Sequence, residues 1–313
     1  MSTLICGSVA YDTIMVFPDR FKHHILPDKV HMLSVSFLVP EMRREFGGCA
    51  GNIAYNLHLL GGDPVIMATV GQDFAPYASR LSQLGVRQDC IRVLPEYFTP
   101  QCFITTDLDD NQITAFHPGA MSRSDDNRFD HVHGLMLALI GPDGREGMLA
   151  RAVELKAAGI PFVFDPGQAM PLFNGEELLA FVRDADYVAM NDYEAALMTE
   201  KTGRSLQQLA GMVKALIVTR GAEGSTIYVA GGEIAIPAAP ATAVLDPTGC
   251  GDAYRAGLLF GIERGWDWPT TGRLASLLGS LKIAQRGGQN HQFTRESLAA
   301  DYRTAFGLDL PAW

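Results

Sequence analysis

The chain is expected to be an α/β protein: a three-layer domain in which a central, mostly parallel sheet is covered by helices on both faces, with a small β lid attached. Three observations predict this. Beyond His131, short apolar runs alternate with helix-period stretches at a spacing that sets strands side by side in parallel and closes both faces of the sheet. Two earlier segments break that rhythm, one through scattered prolines and the other through residue-by-residue alternation, as edge strands and hairpins do. The composition, 47% apolar and 19% charged over 313 residues, is that of a folded globular chain long enough for one large domain and a smaller appendage.

Taken in order, residues 4–6 form a short apolar strand that runs into Gly7-Ser8, as a buried parallel strand runs into its loop. After Asp12 the pattern turns irregular. Residues 14–46 hold Pro18, Pro27 and Pro40, and within them the alternating stretch 31–39 is expected to be an edge strand. Gly47-Gly48-Cys49-Ala50-Gly51-Asn52 then opens a helix through Ile53, Leu57 and Leu60, which Gly61-Gly62 ends. Residues 65–70 follow as a strand and 74–84 as a helix. Alternation on either side of Asp109-Asp110-Asn111 predicts a hairpin over 102–116.

Strands at 135–140, 161–165, 187–190 and 216–219 then alternate with helices at 146–158 and 176–182. Residues 225–229 and 233–236 read as an antiparallel hairpin at the sheet edge, and 251–263, 271–285 and 294–306 as helices. The expected division assigns 1–12, 46–96 and 122–313 to the main domain, and 13–45 with 97–121 to a discontinuous lid.

Charge and cysteine usage exclude several function classes. A formal net charge of −10 lacks the clustered Lys and Arg that replace counterions on nucleic-acid phosphates, so nucleic acid is not an expected partner. The five cysteines make no CxxC pair and no zinc-ligand spacing with histidine, and an odd count without a signal peptide fits a reducing cytoplasm. The longest apolar run, 135–140, falls far short of the roughly 18 residues of a membrane helix. No membrane role is expected.

The most informative run is Asp246-Pro247-Thr248-Gly249-Cys250-Gly251-Asp252. Two glycines one residue apart let the backbone bend until successive amides point at one spot, and the helix that follows adds the positive end of its dipole there. Such a place binds an anion. Asp252 stands in the first turn of that helix, where a carboxylate is favoured for the dipole alone, so spacing leaves capping and catalysis equally open. No GxxxxGK[ST] loop, no HRD or DFG and no GxGxxG occurs. Phosphoryl transfer to a hydroxyl is then the simplest use of an anion loop with an adjoining carboxylate.

At this run the chain resembles the ribokinase-like family, also called the PfkB carbohydrate kinases. The family's D-T-x-G-x-G-D signature stands as Asp246-Pro247-Thr248-Gly249-Cys250-Gly251-Asp252, its GG followed by GN as Gly47-Gly48 and Gly51-Asn52, and its N-x-x-E as Asn191-Asp192-Tyr193-Glu194. The resemblance implies a ribokinase-like fold and a phosphotransferase with an alcohol acceptor. Asp252 would be the general base, and the amides of Gly249, Cys250 and Gly251 the hole for the developing anion. ATP and Mg²⁺ are the implied cofactors, with Asn191 and Glu194 arranging Mg²⁺ through water. Read without the family, Asn191 and Glu194 are a helix N-cap and its N3 partner.

Thr219-Arg220-Gly221-Ala222-Glu223-Gly224 resembles the family's T-x-G-x-x-G, so Thr219, Gly221 and Gly224 would line the nucleotide cleft; by itself the run is a turn leading into a hairpin. Asp12 matches the aspartate that grips sugar hydroxyls, with Gly48 and Asn52 beside it, an acceptor-only group facing O–H donors. Alone it reads as a solvated loop residue. Arg286-Gly287-Gly288-Gln289, together with Asp246 and Thr248, resembles a monovalent-cation segment, which implies stimulation by K⁺.

Pro247, Cys250 and the stretch from Gln112 to Met121 look like the adenosine and nucleoside kinase branch. Phe103, Phe116 and Met121 are either a purine sandwich or lid core, and Gln168 is expected to face substrate. The expected activity is therefore ATP-dependent phosphorylation of the 5′-hydroxyl of a nucleoside by a monomer or homodimer. The alternatives are a free-sugar kinase of ribokinase or fructokinase type and a catalytically silent nucleoside sensor.

Overall fold

The computed structural model describes residues 2–25, 34–109 and 111–313. Five buried residues make β1 (Ser2–Cys6), and the chain then leaves the main sheet for β2 (Ala10–Val16) and β3 (Glu41–Gly47). It returns through α1 (Cys49–Leu59), β4 (Asp63–Val70), α2 (Ala75–Leu84) and β5 (Ile91–Val93). A second excursion forms the hairpin β6 (Gln101–Thr106) and β7 (Gln112–His117).

From there strands and helices alternate. β8 (Leu135–Ile140), α3 (Arg145–Ala158), β9 (Phe162–Phe164), α4 (Gly175–Asp184), β10 (Tyr187–Asn191), α5 (Asp192–Thr202), the short α6 (Leu206–Ala210) and β11 (Ala215–Thr219) follow one another. The chain closes with the hairpin β12 (Ser225–Val229) and β13 (Gly232–Ile236), then α7 (Cys250–Glu263), α8 (Trp268–Ile283) and α9 (Arg295–Phe306).

Nine strands form one sheet in the order β13-β12-β11-β10-β9-β8-β1-β4-β5. All neighbours are parallel except the pairs β11–β12 and β12–β13. Alternation within each strand fills both faces. Ile5, Ile66, Leu139, Val163, Ala189 and Ile217 point into a core with α1, α2, α7, α8 and α9. Their neighbours Leu4, Met67, Ile140, Phe164, Val188 and Val218 point into a second core with α3, α4, α5 and α6. That arrangement is the three-layer sandwich the sequence predicts.

The second sheet, β3-β2-β6-β7, is the small lid, with β2 parallel to β6 and antiparallel to β3. Two expectations change here. Residues 34–39 carry no regular structure and the strand begins after Pro40, which has no N–H to give a ladder; residues 31–33 of the expected edge strand lie outside the described residues, as does Asp110 of the hairpin turn. Where an irregular run was expected after Asp12, β2 continues to Val16, paired on both sides, so cross-strand partners replace the clean alternation that would have announced it. Among the described residues no helix is long and apolar enough to cross a membrane.

The order of strands reverses at β1, since β4 lies on one side of it and β8 on the other. An open α/β sheet has a crevice outside the carboxyl ends of its strands at such a switch point, and ligands bind there. The loops after β1 and β8, carrying Ser8 and Pro142, both open into the same cleft.

Candidate active site

Two adjoining clefts meet at the N-terminus of α7. The first, of about 620 Å³, lies between the carboxyl ends of the main sheet and the lid. The second, of about 540 Å³, is mainly apolar and runs between the β11–β12 turn and α8. Thr219, at the end of β11, and Gly251 line both.

Glycines bring the lid and α1 close together. Gly48 has φ of +83°, and a Cβ there would fall 2.5 Å from Ser8 O and 2.6 Å from Ala10 N. A Cβ on Gly47 would collide with the Asp12 carboxylate. Asp12 therefore projects from β2 into the first cleft with no hydrogen-bond partner among the described residues; burial first, and then the charges of Asp246 and Glu45, push its pKa up to about 6.

One turn into α1, Asn52 donates through Nδ2 to Asp252 Oδ2 at 2.8 Å and accepts through Oδ1 from Gln289 Nε2 at 3.1 Å. Gln289 is itself anchored to Tyr77 Oη at 2.6 Å, and Tyr77 donates to Gly47 O at 2.8 Å. This chain of bonds fixes where the Asp252 carboxylate points. Burial lifts Asp252 to about 6; the Asn52 bond pulls it down, the nearby Asp165 charge raises it further, and Arg255 lowers it. An aspartate with such a pKa is ionised at neutral pH yet basic enough to take a proton.

The glycine loop behaves as its spacing predicts, with one correction. Gly249 adopts φ of +80° at the N-cap of α7, and the amides of Gly249 and Gly251 have no hydrogen-bond partner among the described residues. Cys250, expected as a third anion donor, gives its N–H to Pro247 O at 3.1 Å, because the turn that reverses the chain before α7 uses that amide. Asn191 and Glu194 form the capping box their spacing allows, each accepting the other's backbone N–H at 2.8 Å, and both also line the first cleft. Burial raises Glu194 above its ordinary value, and the Asp165 charge adds to it.

Gly221 and Gly224 line the second cleft with Thr219, and Ala222, Ala239, Val244 and Ile283 make its apolar wall. In the first cleft Gly48, Asn52, Phe116 and Gln168 stand with Asp12. Phe103 and Met121 do not. Phe103 neighbours Cys102 and Ile104, which face the cleft, so strand alternation turns it to the other side of β6; the backbone at Met121 packs on Gly144.

Sequence reasoning missed Arg255 and Asp165, buried in the floor of the cleft, where the guanidinium donates to the carboxylate through Nε at 3.1 Å and Nη2 at 3.0 Å. A signal existed, since an arginine three residues after Asp252 stands in an otherwise apolar stretch of α7. Ser8, Gln112 and Thr114 were also passed over.

Residues 8–295 match the pfkB family of carbohydrate kinases. The chain belongs to that family. Among its pfkB relatives, a nucleoside kinase of Methanocaldococcus jannaschii is 31% identical over 261 residues, covering 82% of this chain and 85% of the relative. The structure of a Burkholderia thailandensis nucleoside kinase in complex with inosine is 54% identical, with a TM-score of 0.91 over 99% of this chain and 100% of that one. The same enzyme in complex with ADP-inosine gives a TM-score of 0.88 at 55% identity over 99% and 98% of the two chains.

The pfkB resemblance also implied K⁺ at Asp246 and Thr248, and the hydrogen bonds of Asp246 do not fit it. Both Asp246 carboxylate oxygens accept backbone amides, from Thr248 and Gly287 at 2.9 Å each, and its carbonyl oxygen accepts from Lys282 Nζ at 2.7 Å.

Proposed function

We propose that this chain is an ATP-dependent nucleoside kinase that transfers the γ-phosphoryl group to the 5′-hydroxyl of a nucleoside. The observation that carries the reading is Asp252, lifted to about 6 and oriented by Asn52, beside the free amides of Gly249 and Gly251 where the two clefts join. A donor in the second cleft and an acceptor in the first would meet there. The complexes of the Burkholderia thailandensis relative with inosine and with ADP-inosine support a nucleoside as acceptor.

In this reading the acceptor oxygen bonds to phosphorus, the bond from phosphorus to the departing diphosphate breaks, and the hydroxyl proton passes to an Asp252 oxygen. The Gly249 and Gly251 amides, with the positive end of α7 behind them, hold the oxygens of the phosphoryl group in flight. Asp12 accepts from ribose hydroxyls, with Gly48 and Asn52 beside it, Phe116 of β7 covers the base, and Gln168 reaches the substrate from the turn after β9. Thr219, Gly221 and Gly224 cradle the nucleotide.

Among the described residues no three His, Cys, Asp or Glu side chains gather as a metal cage. Glu194 and Asn191, hard oxygen donors lining the first cleft, would hold through water an Mg²⁺ ion carried mainly by the phosphates, and that ion would neutralise phosphate charge when bound. Closure of the lid excludes water, so that the hydroxyl and not water receives the phosphoryl group.

A cleft of about 620 Å³ roofed by Ile104 and Phe116 offers apolar surface that a bare sugar would leave unused, which favours a nucleoside over ribose or fructose. The test is a panel with MgATP: inosine, adenosine, guanosine and cytidine against ribose and fructose. The expected result is a kcat/KM at least about 10²-fold higher for one or more nucleosides. A free sugar as best acceptor overturns the nucleoside assignment. Tight nucleoside binding without any turnover makes the chain a sensor.

A further inference from the structure

The glycine loop rests on the C-terminal turn of α8. Leu245 and Asp246 both donate their N–H to Ile283 O, at 2.9 and 3.2 Å, and Gly287 N donates to Asp246 Oδ2. Inside this knot two carbonyl oxygens, Asp246 O and Gln285 O, receive no main-chain N–H among the described residues. Asp246 is buried while Gln285 is exposed, and a buried carbonyl left without a donor is costly. Lys282 satisfies both, its Nζ donating to Asp246 O at 2.7 Å and to Gln285 O at 3.0 Å.

Lys282 is completely buried, at the end of a helix whose other buried side chains, Leu274, Ala275, Leu277 and Leu278 among them, are mostly apolar, and between two partly buried neighbours, Leu281 and Ile283. A buried ammonium persists only where oxygens replace its water shell and negative charge lies close. Both conditions hold here. Burial lowers its pKa, while Asp246, Cys250, Asp252 and Glu45 act in the other direction, so its field reaches both the anion loop and the base. A chain needing only a packed helix end would carry an apolar residue at this position at less desolvation cost.

We propose that the Lys282 ammonium is a tethered monovalent cation: it gathers Asp246 O and Gln285 O, holds the 246–251 loop with its amides outward, and sets a fixed positive charge behind the phosphate site. An ammonium and a potassium ion are close in size and equal in charge, so each could draw the same carbonyls together, but not both at once. Lys282 is thus a positioning residue, and turnover needs no K⁺. The inference rests on the phosphotransfer reading of the loop and goes beyond it by naming what holds the loop in shape.

The experiment exchanges choline chloride for KCl or NH₄Cl at constant ionic strength, and follows nucleoside phosphorylation and thermal unfolding of the wild type, Lys282→Ala and Lys282→Met. Wild-type kcat is expected to change less than about twofold and its Tm not to respond specifically to K⁺. Lys282→Ala, which leaves space at the carbonyls, should lose about 10²-fold in kcat in choline with nucleoside KM changed less than about threefold. It should regain about tenfold or more in K⁺ or NH₄⁺, with a matching rise in Tm from cation binding. Lys282→Met, whose side chain refills the space without charge, should lose as much and gain nothing.

Wild-type turnover that K⁺ raises threefold or more, full activity of Lys282→Ala in choline, or a folded Lys282→Ala that no cation rescues, each overturns the proposal. If the variants do not fold, the wild-type titration decides alone. A wild type that phosphorylates no acceptor removes the nucleoside-kinase reading instead, and the cation dependence of Tm still decides this one.

Discussion

Replacing Asp252 by Asn separates catalysis from folding, because the two effects have opposite signs. Asn keeps the volume and still accepts from Asn52 Nδ2, which now sits 2.8 Å from Asp252 Oδ2, so the α1–α7 contact survives. The variant cannot take the hydroxyl proton. Loss of a general base costs about 10²-fold to 10⁴-fold in kcat, or about 3 to 5 kcal/mol of barrier.

Stability should move the other way. Lifting an aspartate from its ordinary 3.8 to about 6 withdraws up to about 3 kcal/mol from the folded state at neutral pH, less whatever solvent in the open cleft screens. Here the folded state binds the proton more tightly than the unfolded one, so wild-type stability falls as pH rises from about 4 to about 6 and stays low above. The assay is ligand-free thermal unfolding of both proteins from pH 4.5 to 8 beside a steady-state kinase assay. Asp252→Asn should be the more stable at pH 8, and the gap should close towards pH 4.5. Wild-type kcat/KM should fall below pH about 6, more steeply than one group allows, since Asp12 titrates in the same range. Near-normal turnover in the variant, or a variant less stable at pH 8, would refute the reasoning.

Two further substitutions test the supports of the site. Arg255→Met leaves Asp165 buried and unpaired, which should cost about 3 to 5 kcal/mol in denaturant unfolding, and adding Asp165→Leu should restore most of it. Gly288→Ala places a methyl 2.5 Å from Asn52 Oδ1, and the displaced amide should release Asp252; kcat is expected to drop about tenfold while Tm changes little, as steady-state kinetics and calorimetry would show.

Most of the main sheet was legible because its strands are short apolar runs, several of them next to a glycine, and helix ends are marked in the sequence, as by Gly61-Gly62 after α1 and Asn191 with Glu194 at the start of α5. The lid was legible in part, since alternation on either side of Asp109-Asp110-Asn111 announced the β6–β7 hairpin. β2 was the part that stayed hidden: it shares its register with two partners and does not show the one-sided alternation that marks a half-buried strand. In the candidate site, glycines and carboxylates stood out because backbone geometry restricts those positions to few residue types. The ties between them did not. Gln289 meets Asn52 across 237 positions and Arg255 meets Asp165 across 90, and spacing carries no information about contacts that only the folded sheet creates. Lys282 was hidden for a further reason: in the sequence it is one charged residue in an amphipathic helix, and only its burial makes it unusual.

The charges of the cleft then constrain how a donor enters it. Asp12, Asp165, Glu194 and Asp252 line the first cleft, against one cationic side chain among the described residues, Arg255, which Asp165 already neutralises. Burial raises Asp12, Glu194 and Asp252; the Asp165 charge adds to Glu194 and Asp252, and the Asp246 and Glu45 charges add to Asp12. A bare triphosphate would add several negative charges to a place that already holds surplus, and two oriented amides, a helix end and one ammonium behind the loop do not offset that. On the phosphotransfer reading, charge balance favours a donor that brings a divalent cation with it, and Glu194 and Asp252 would gain from that cation as the phosphates would. Such a cleft favours the metal–nucleotide complex over free nucleotide, and the same surplus keeps Asp252 basic until the acceptor hydroxyl is beside it.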